Sequence, residues 1–128
     1  MNRHDMRSPL ARAIGLGSAK DGVGAWWAER VSAIALGPLT LWFVASIIAH
    51  AGSDHAAFVV WLRTPLASNP MVVLLIALFY HTALGLQVVI EDYVRSGIKF
   101  AAVIAMRLAC FVVATAGIMA ILRIVFGG

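Results

Sequence analysis

One histidine, His81, lies within residues 64–90, a long apolar stretch that contains no charged side chain. Asp92 and Tyr93 follow eleven and twelve residues later, where the apolar stretch ends. Eleven residues of α-helix make three turns plus about 20° of rotation, so Asp92 returns to the helix face that carries His81. Gly85, four residues after His81, lies on the same stripe. A possible metal ligand, a glycine beside open space and a polar pair at the rim are typical of a helix that lines a buried cofactor.

An ionisable side chain inside a membrane span is costly, so His81 is a candidate functional residue. Ligation of haem iron is the interpretation we favour, because Gly85 leaves room for a planar macrocycle and no carboxylate lies within two turns. A neutral imidazole bonded to a neighbouring helix, or a proton-relay group, is the alternative. His50 and His55 belong to the outer end of the first apolar stretch, whereas His81 lies roughly 15 Å inward along the second. A second axial ligand is therefore expected from another polypeptide.

The composition indicates which solvent surrounds these residues. Hydrophobic residues make up 62% of the 128-residue chain and charged residues only 12%, which is too apolar for a soluble domain. The net charge is +4, yet the basic residues form no patch interleaved with aromatics, which argues against a nucleic-acid partner. The single cysteine, Cys110, excludes an internal disulfide, and we expect it to be a small core residue.

Three apolar stretches are each long enough to cross a bilayer, which takes about 20 residues. The sequence therefore predicts an all-α membrane protein with membrane lipid as its main surrounding. The start of the second span is placed after Asn69 and Pro70, which interrupt the apolar stretch. The expected organisation is a cytoplasmic segment over residues 1–30 and a three-helix unit over 31–126, with spans at about 31–52, 71–92 and 104–126.

Arg107 leaves two possible starts for the third span. Either the span begins near Phe100 and Arg107 extends back to the membrane surface, or residues 96–106 lie along the interface and the span begins near Leu108. We favour the second possibility, since the residues from Arg107 onward nearly fill a bilayer.

The basic residues predict the orientation of the chain. Most of them lie before the first span or after the second: Arg3, Arg7, Arg12, Lys20, Arg30, Arg95, Lys99 and Arg107. The opposite connections hold only Arg63 and Arg123, so the positive-inside rule places the N-terminus in the cytoplasm and the C-terminus in the periplasm. The N-terminal segment lacks the apolar core and cleavage site of a secretory signal, and Asp5 argues against a transit peptide. We expect a bacterial inner membrane rather than a mitochondrial one.

Two segments resemble a known family. The segment HTALGLQVVIEDY, from His81 to Tyr93, resembles the H-x10-D-Y signature of the D-type hydrophobic anchor subunit of succinate dehydrogenase, respiratory complex II. The segment WWAERVSA, from Trp26 to Ala33, is similar to the one that opens the first span in that family. The resemblance covers about residues 15–126 in helix order and spacing.

The resemblance implies a shared cofactor and several partners. The three helices would pack with a second three-helix subunit, the C-type anchor, around one haem b, and the pair would bind an iron–sulfur subunit and a flavoprotein subunit. Succinate, from the tricarboxylic acid cycle, would be oxidised at the flavin, and electrons would reach ubiquinone at the cytoplasmic face. By position, His81 would be an axial haem ligand, Tyr93 would donate a hydrogen bond to ubiquinone, and Asp92 would orient Tyr93. Arg30 and Ser32 would lie near the haem propionates or the quinone pocket.

Two other functions stay open at this point. One is the anchor of a fumarate reductase or of another cytochrome b that uses menaquinone. The other is a small transporter, which would be expected to place a carboxylate deep inside a span, where this sequence has none. The chain has no flavin motif and lacks the cysteines that an iron–sulfur cluster needs, so succinate oxidation is expected to belong to its partners.

Overall fold

The computed structural model describes residues 18–127 of the chain, with side chains from Val23 onward. This range contains no strand and four α-helices: α1 Ser18–His50, α2 His55–Leu62, α3 Pro65–Tyr93 and α4 Ile98–Phe126. The predictions that used Arg3, Asp5, Arg7 and Arg12, and the side chain of Lys20, fall outside the described residues.

Three of the four helices are long and apolar enough to cross a membrane: Val23–His50, Pro65–Tyr93 and Ile98–Phe126. At 1.5 Å per residue, the 29 residues of α3 and of α4 extend about 43 Å, whereas the hydrocarbon core of a bilayer is about 30 Å thick. The helices are therefore long enough to be tilted or to extend past the hydrocarbon at their ends. The predicted all-α architecture with three spans is confirmed.

The helix α3 begins six residues earlier than the predicted second span. Pro65 occupies its first turn, where a missing N–H costs nothing, and the backbone of Thr64 is extended just before it. Pro70, which we expected to precede the helix, lies inside it. The proline removes one hydrogen bond, to the carbonyl of Leu66, and a helix of this length tolerates that loss.

The connection between α1 and α3 holds a short helix that the sequence analysis did not predict. Asp54 caps this helix, α2, because its Oδ1 accepts a hydrogen bond of 2.8 Å from the backbone N–H of Ala57. An acidic residue followed by an apolar stretch is a recognisable start signal for a helix. The Nε of Arg63, just after α2, donates a hydrogen bond of 2.9 Å to the carbonyl of Ile124 and so ties α2 to the end of α4.

The helix α4 is continuous from Ile98 to Phe126, with Arg107 in its interior. Within the described residues, the helix has no break between residues 96–106, which we placed along the interface, and Leu108, where we placed the start of the span. The continuous helix fits the other arrangement, in which the long side chain of Arg107 extends from within a span.

The central helix of the fold is α3, which packs against both α1 and α4. Few side chains are buried by this packing: in the most apolar stretch of each long helix, only 6% of the residues are buried. The buried hydrophobic residues within the described range are Leu62, Ala67, Leu74 and Ile121. The chain therefore presents most of its apolar surface outward, toward lipid or other subunits.

Candidate functional site

The structure joins His81 on α3 to Ser32 on α1. The Nδ1 of His81 lies 2.9 Å from the Oγ of Ser32, although the two residues are 49 positions apart in the sequence. Ser32 is buried, with 6% of its surface exposed, and His81 is half-buried. The two residues therefore lie at the same depth between two spans.

The hydrogen bonds of Ser32 determine the tautomer of His81. A serine hydroxyl has one hydrogen, and the Oγ of Ser32 donates it to the carbonyl of Glu29 at 2.9 Å. The Oγ is then the acceptor toward His81, so the hydrogen of the imidazole lies on Nδ1. The Nε2 keeps its lone pair, which is the form of histidine that ligates a metal ion.

A small pocket opens beside His81 and is lined also by Trp26, Glu29, Arg30 and Ala33. Its volume is about 160 Å³, which is below the roughly 300–1,000 Å³ typical of complete ligand sites. The guanidinium of Arg30 lies 5.4 Å from the centre of the Trp26 ring, a cation–π contact that holds the positive charge at the pocket.

Gly85 lies one turn from His81 beside open space. A Cβ added at this glycine would meet no atom of the chain within 4 Å. The structure thus leaves room next to the histidine, as the spacing of the two residues predicted. His81 and the cation of Arg30 line one pocket, and the helix surface at Gly85 is open one turn away; both features fit a macrocycle that carries carboxylates.

Asp92 and Tyr93 form the last turn of α3, and both side chains are exposed. Tyr93 exposes 82% of its surface. Because α3 is continuous, Asp92 returns to the His81 face as predicted, about 17 Å along the axis. The pair is available to a ligand or a partner at the end of the helix.

The helix register places Arg30 with His81 rather than with Tyr93. Arg30 is two residues from Ser32 along α1, or about 3 Å, whereas Tyr93 is twelve residues from His81 along α3, or about 18 Å. We had expected Arg30 to lie at the depth of either the propionates or the quinone pocket. Arg30 shares a pocket with His81, and Tyr93 does not line that pocket.

A polar chain between α3 and α4 escaped the sequence analysis. The Nη2 of Arg107 donates a hydrogen bond to the Oε1 of Gln87, and the Nε2 of Gln87 donates one of 2.8 Å to the Oε1 of Glu91. The spacing of Gln87 and Glu91, one helical turn apart, is a signal for the second bond. The first bond joins two helices, and the sequence carries no signal for it.

The other described histidines are not near His81. His50 ends α1, where its Nδ1 lies 2.9 Å from the carbonyl of Ser46 and its ring centre lies 4.3 Å from that of Trp61. Trp42 stacks on Trp61 in the same cluster. His55 begins α2 and is exposed. Within the described range, no group of three or more histidine, cysteine or acidic side chains is arranged to hold a metal ion.

Known proteins are similar to this chain over nearly its whole length. The model of the succinate dehydrogenase/fumarate reductase transmembrane subunit family matches residues 4–114. The succinate dehydrogenase hydrophobic membrane anchor subunit of Rickettsia bellii is 33% identical over 92% of this chain and 95% of its own length. The subunits of the same name from Rickettsia conorii and Paracoccus denitrificans are 28% and 29% identical, over 92% and 94% of this chain and 95% and 93% of their own. No solved structure is significantly similar.

Proposed function

Because the chain belongs to the succinate dehydrogenase/fumarate reductase transmembrane subunit family, we propose that it is the hydrophobic membrane anchor subunit of a succinate dehydrogenase. The relatives named above carry that name and match this chain end to end. The chain itself does not oxidise succinate. It holds the complex in the membrane and contributes residues to the haem and quinone sites.

The observation that carries the haem site is the bond from His81 to Ser32. It leaves the Nε2 of His81 free, and this nitrogen would hold the iron of haem b. Haem iron accepts and releases one electron at a time. Arg30 lies at the same pocket and supplies a positive charge for a propionate, and the open space beside Gly85 admits the edge of the macrocycle.

The second axial ligand belongs to a partner. His50 is eighteen residues from Ser32 along α1, about 27 Å from the depth of His81, and His55 lies farther along the chain. Neither can reach an iron atom bound to His81. A histidine of the C-type anchor subunit therefore completes the site.

Ubiquinone binds at the end of α3, where Tyr93 donates a hydrogen bond to a carbonyl oxygen of the quinone. The high exposure of Tyr93 supports this role, because its hydroxyl is free for a ligand that approaches from outside the chain. Asp92, the neighbour of Tyr93, orients the tyrosine and the basic groups of the partner subunits. As a carboxylate at a helix C-terminus, it needs such a cation to offset the helix dipole.

The complex lies in a bacterial inner membrane with the His81 end of the bundle toward the cytoplasm. The start of α1, the end of α3 and the start of α4 lie at one end of the bundle, which carries Arg30, Arg95 and Lys99. Arg63 and Arg123 lie at the other end. The larger number of arginines and lysines marks the cytoplasmic side, where the iron–sulfur and flavoprotein subunits bind.

The family includes fumarate reductases, so the direction of the reaction in the cell is a second candidate. An anchor that passes electrons from menaquinone to the soluble subunits would present the same residues. The quinone extracted from the purified complex separates the two: ubiquinone supports a succinate dehydrogenase, and menaquinone alone supports the alternative.

The haem assignment is tested by purifying the complex through a tag on this chain. We expect three further subunits and the reduced-minus-oxidised absorption spectrum of a b-type haem. His81→Ala should abolish the bis-histidine spectrum or lower the haem content, whereas the matched substitution His55→Ala should leave both unchanged. A normal spectrum in His81→Ala contradicts the assignment of His81.

A further inference from the structure

We propose that Ser32 is a positioning residue for the haem: it holds the imidazole of His81 in the Nδ1–H tautomer and thereby lowers the reduction potential of the iron. This inference rests on the proposed function, in which the Nε2 of His81 ligates the iron. In this inference, the hydroxyl of Ser32 on α1 fixes the tautomer of His81 on α3.

The first step of the argument is the direction of the two hydrogen bonds. The hydroxyl hydrogen of Ser32 is used by the carbonyl of Glu29, which frees the oxygen lone pairs to accept from the Nδ1–H of His81. Among the residues that the structure describes, Ser32 alone bonds the ring of His81 through a side chain or backbone atom. Without Ser32, neither the tautomer nor the rotation of the ring is held by this chain.

The second step is the surroundings of the bond. Ser32 is one of two buried polar residues within the described range, and apolar side chains of α1 and α3 flank it. A hydrogen bond in such surroundings is stronger than one in water, and the bond from Ser32 to Glu29 polarises the oxygen further.

The third step is the effect on the iron. An acceptor on the Nδ1–H of a ligating histidine makes the opposite nitrogen a stronger electron donor. A stronger donor stabilises ferric iron more than ferrous iron, which lowers the reduction potential. Removing the acceptor should raise the potential, even if the haem stays bound.

The test uses the complete complex and measures the midpoint potential of the haem and the electron paramagnetic resonance spectrum of its ferric form. Ser32→Ala should raise the potential and shift the g values of the ferric haem. Ser32→Cys, which keeps nearly the same volume with a weak acceptor, should shift both in the same direction. Ser32→Thr keeps the hydroxyl and should therefore keep the wild-type midpoint potential and g values.

Ser68→Ala is the matched control. Ser68 is the other buried polar residue, with 7% of its surface exposed, and its Oγ donates to the carbonyl of Thr64 at 3.1 Å in the same way. It lies thirteen residues from His81 on α3, so its loss should leave the potential unchanged.

The possible outcomes separate the two proposals. If Ser32→Ala and Ser32→Cys both keep the wild-type potential and g values, the proposed role of Ser32 is wrong. The haem assignment still stands in that case, provided that His81→Ala loses the haem spectrum. If Ser32→Ala does not assemble, the potential of Ser32→Cys decides alone. A normal haem spectrum in His81→Ala overturns the ligand assignment and this inference together.

Discussion

At the scale of single residues, most of the candidate site residues of this chain lie on α3. His81 is hydrogen-bonded to Ser32, and Gly85 leaves open space one turn away. Asp92 and Tyr93 lie in the last turn of the helix. Along the helix axis, His81 is thus about 17–18 Å from Asp92 and Tyr93, the residues of the proposed quinone site. Their separation is set by the helix itself and does not depend on a flexible connection.

Tyr93→Phe tests the quinone site. The ring is retained, and only the hydroxyl is lost, so the fold and the haem should be unchanged. Losing one hydrogen bond to a bound group typically costs about 0.5–1.5 kcal/mol. The rate of electron transfer from succinate to quinone should fall by roughly severalfold to tenfold. Succinate oxidation measured with an artificial dye that accepts electrons upstream should stay near the wild-type rate.

Tyr80→Phe is the control for that experiment. Tyr80 is the chain's other tyrosine, also exposed and also on α3, but it lines grooves between the helices and lies about 20 Å from Tyr93 along the axis. Its substitution should change neither rate. If Tyr93→Phe lowered both activities, Tyr93 would be a structural anchor, and if it lowered neither, the quinone would bind elsewhere.

At the scale of elements, the contacts between α3 and α4 explain how an apolar chain fixes the position of its helices. Gly117 on α4 faces Leu75 on α3, and the chain of hydrogen bonds from Arg107 to Gln87 and Glu91 ties the same two helices nearer their other end. In lipid, helices associate through close packing of small residues and through such polar bonds, because apolar surface alone gives no preference.

Gly117→Val should weaken the packing of α3 on α4. A Cβ at Gly117 would lie 3.0 Å from the Cδ1 of Leu75, so the larger valine forces that side chain to move. Overpacking of this kind typically costs about 1–3 kcal/mol, measurable as a lower temperature of thermal denaturation of the purified complex. Adding Leu75→Ala should restore part of the loss, since neighbouring substitutions of this kind are not additive.

Gly37→Val on α1 is the comparison for this prediction, because a Cβ there meets nothing within 4 Å of the chain. It should lower the denaturation temperature less than Gly117→Val. Equal losses at the two glycines, or no recovery in the double variant, would show that the contact with Leu75 does not limit stability.

At the scale of the whole molecule, the chain is one part of a larger bundle. With 6% of the residues buried in the most apolar stretch of each long helix, the three helices hold little core of their own. The pocket at His81 is likewise too small for a complete ligand site. Both observations support the proposal that a second membrane subunit covers the His81 face.

The orientation can be tested by labelling single cysteines in intact cells and inverted vesicles, after Cys110 is replaced by alanine. Arg95→Cys and His55→Cys both introduce the label at exposed positions, at opposite ends of the bundle. A membrane-impermeant reagent should reach residue 95 from the cytoplasm and residue 55 from the periplasm. The reverse labelling pattern would show that the orientation is opposite to the one proposed, with the proposed quinone site at the periplasmic face.

The sequence by itself determined the features that repeat along a single helix. Apolar length predicts a span, and a separation of eleven residues places His81 and Asp92 on one face, because the geometry of an α-helix is local. The sequence was less reliable at helix ends: it placed the start of α3 six residues late, because Pro70 was interpreted as a boundary, and it missed α2.

The tertiary structure decided everything that depends on the register between helices. It made Ser32 the hydrogen-bond partner of His81, placed Arg30 at the depth of that histidine, and joined Arg107 to Gln87. Each of these contacts joins residues on different helices. No spacing within one helix specifies how far its neighbour is shifted along the axis, since that shift is set by packing and by polar bonds between helices.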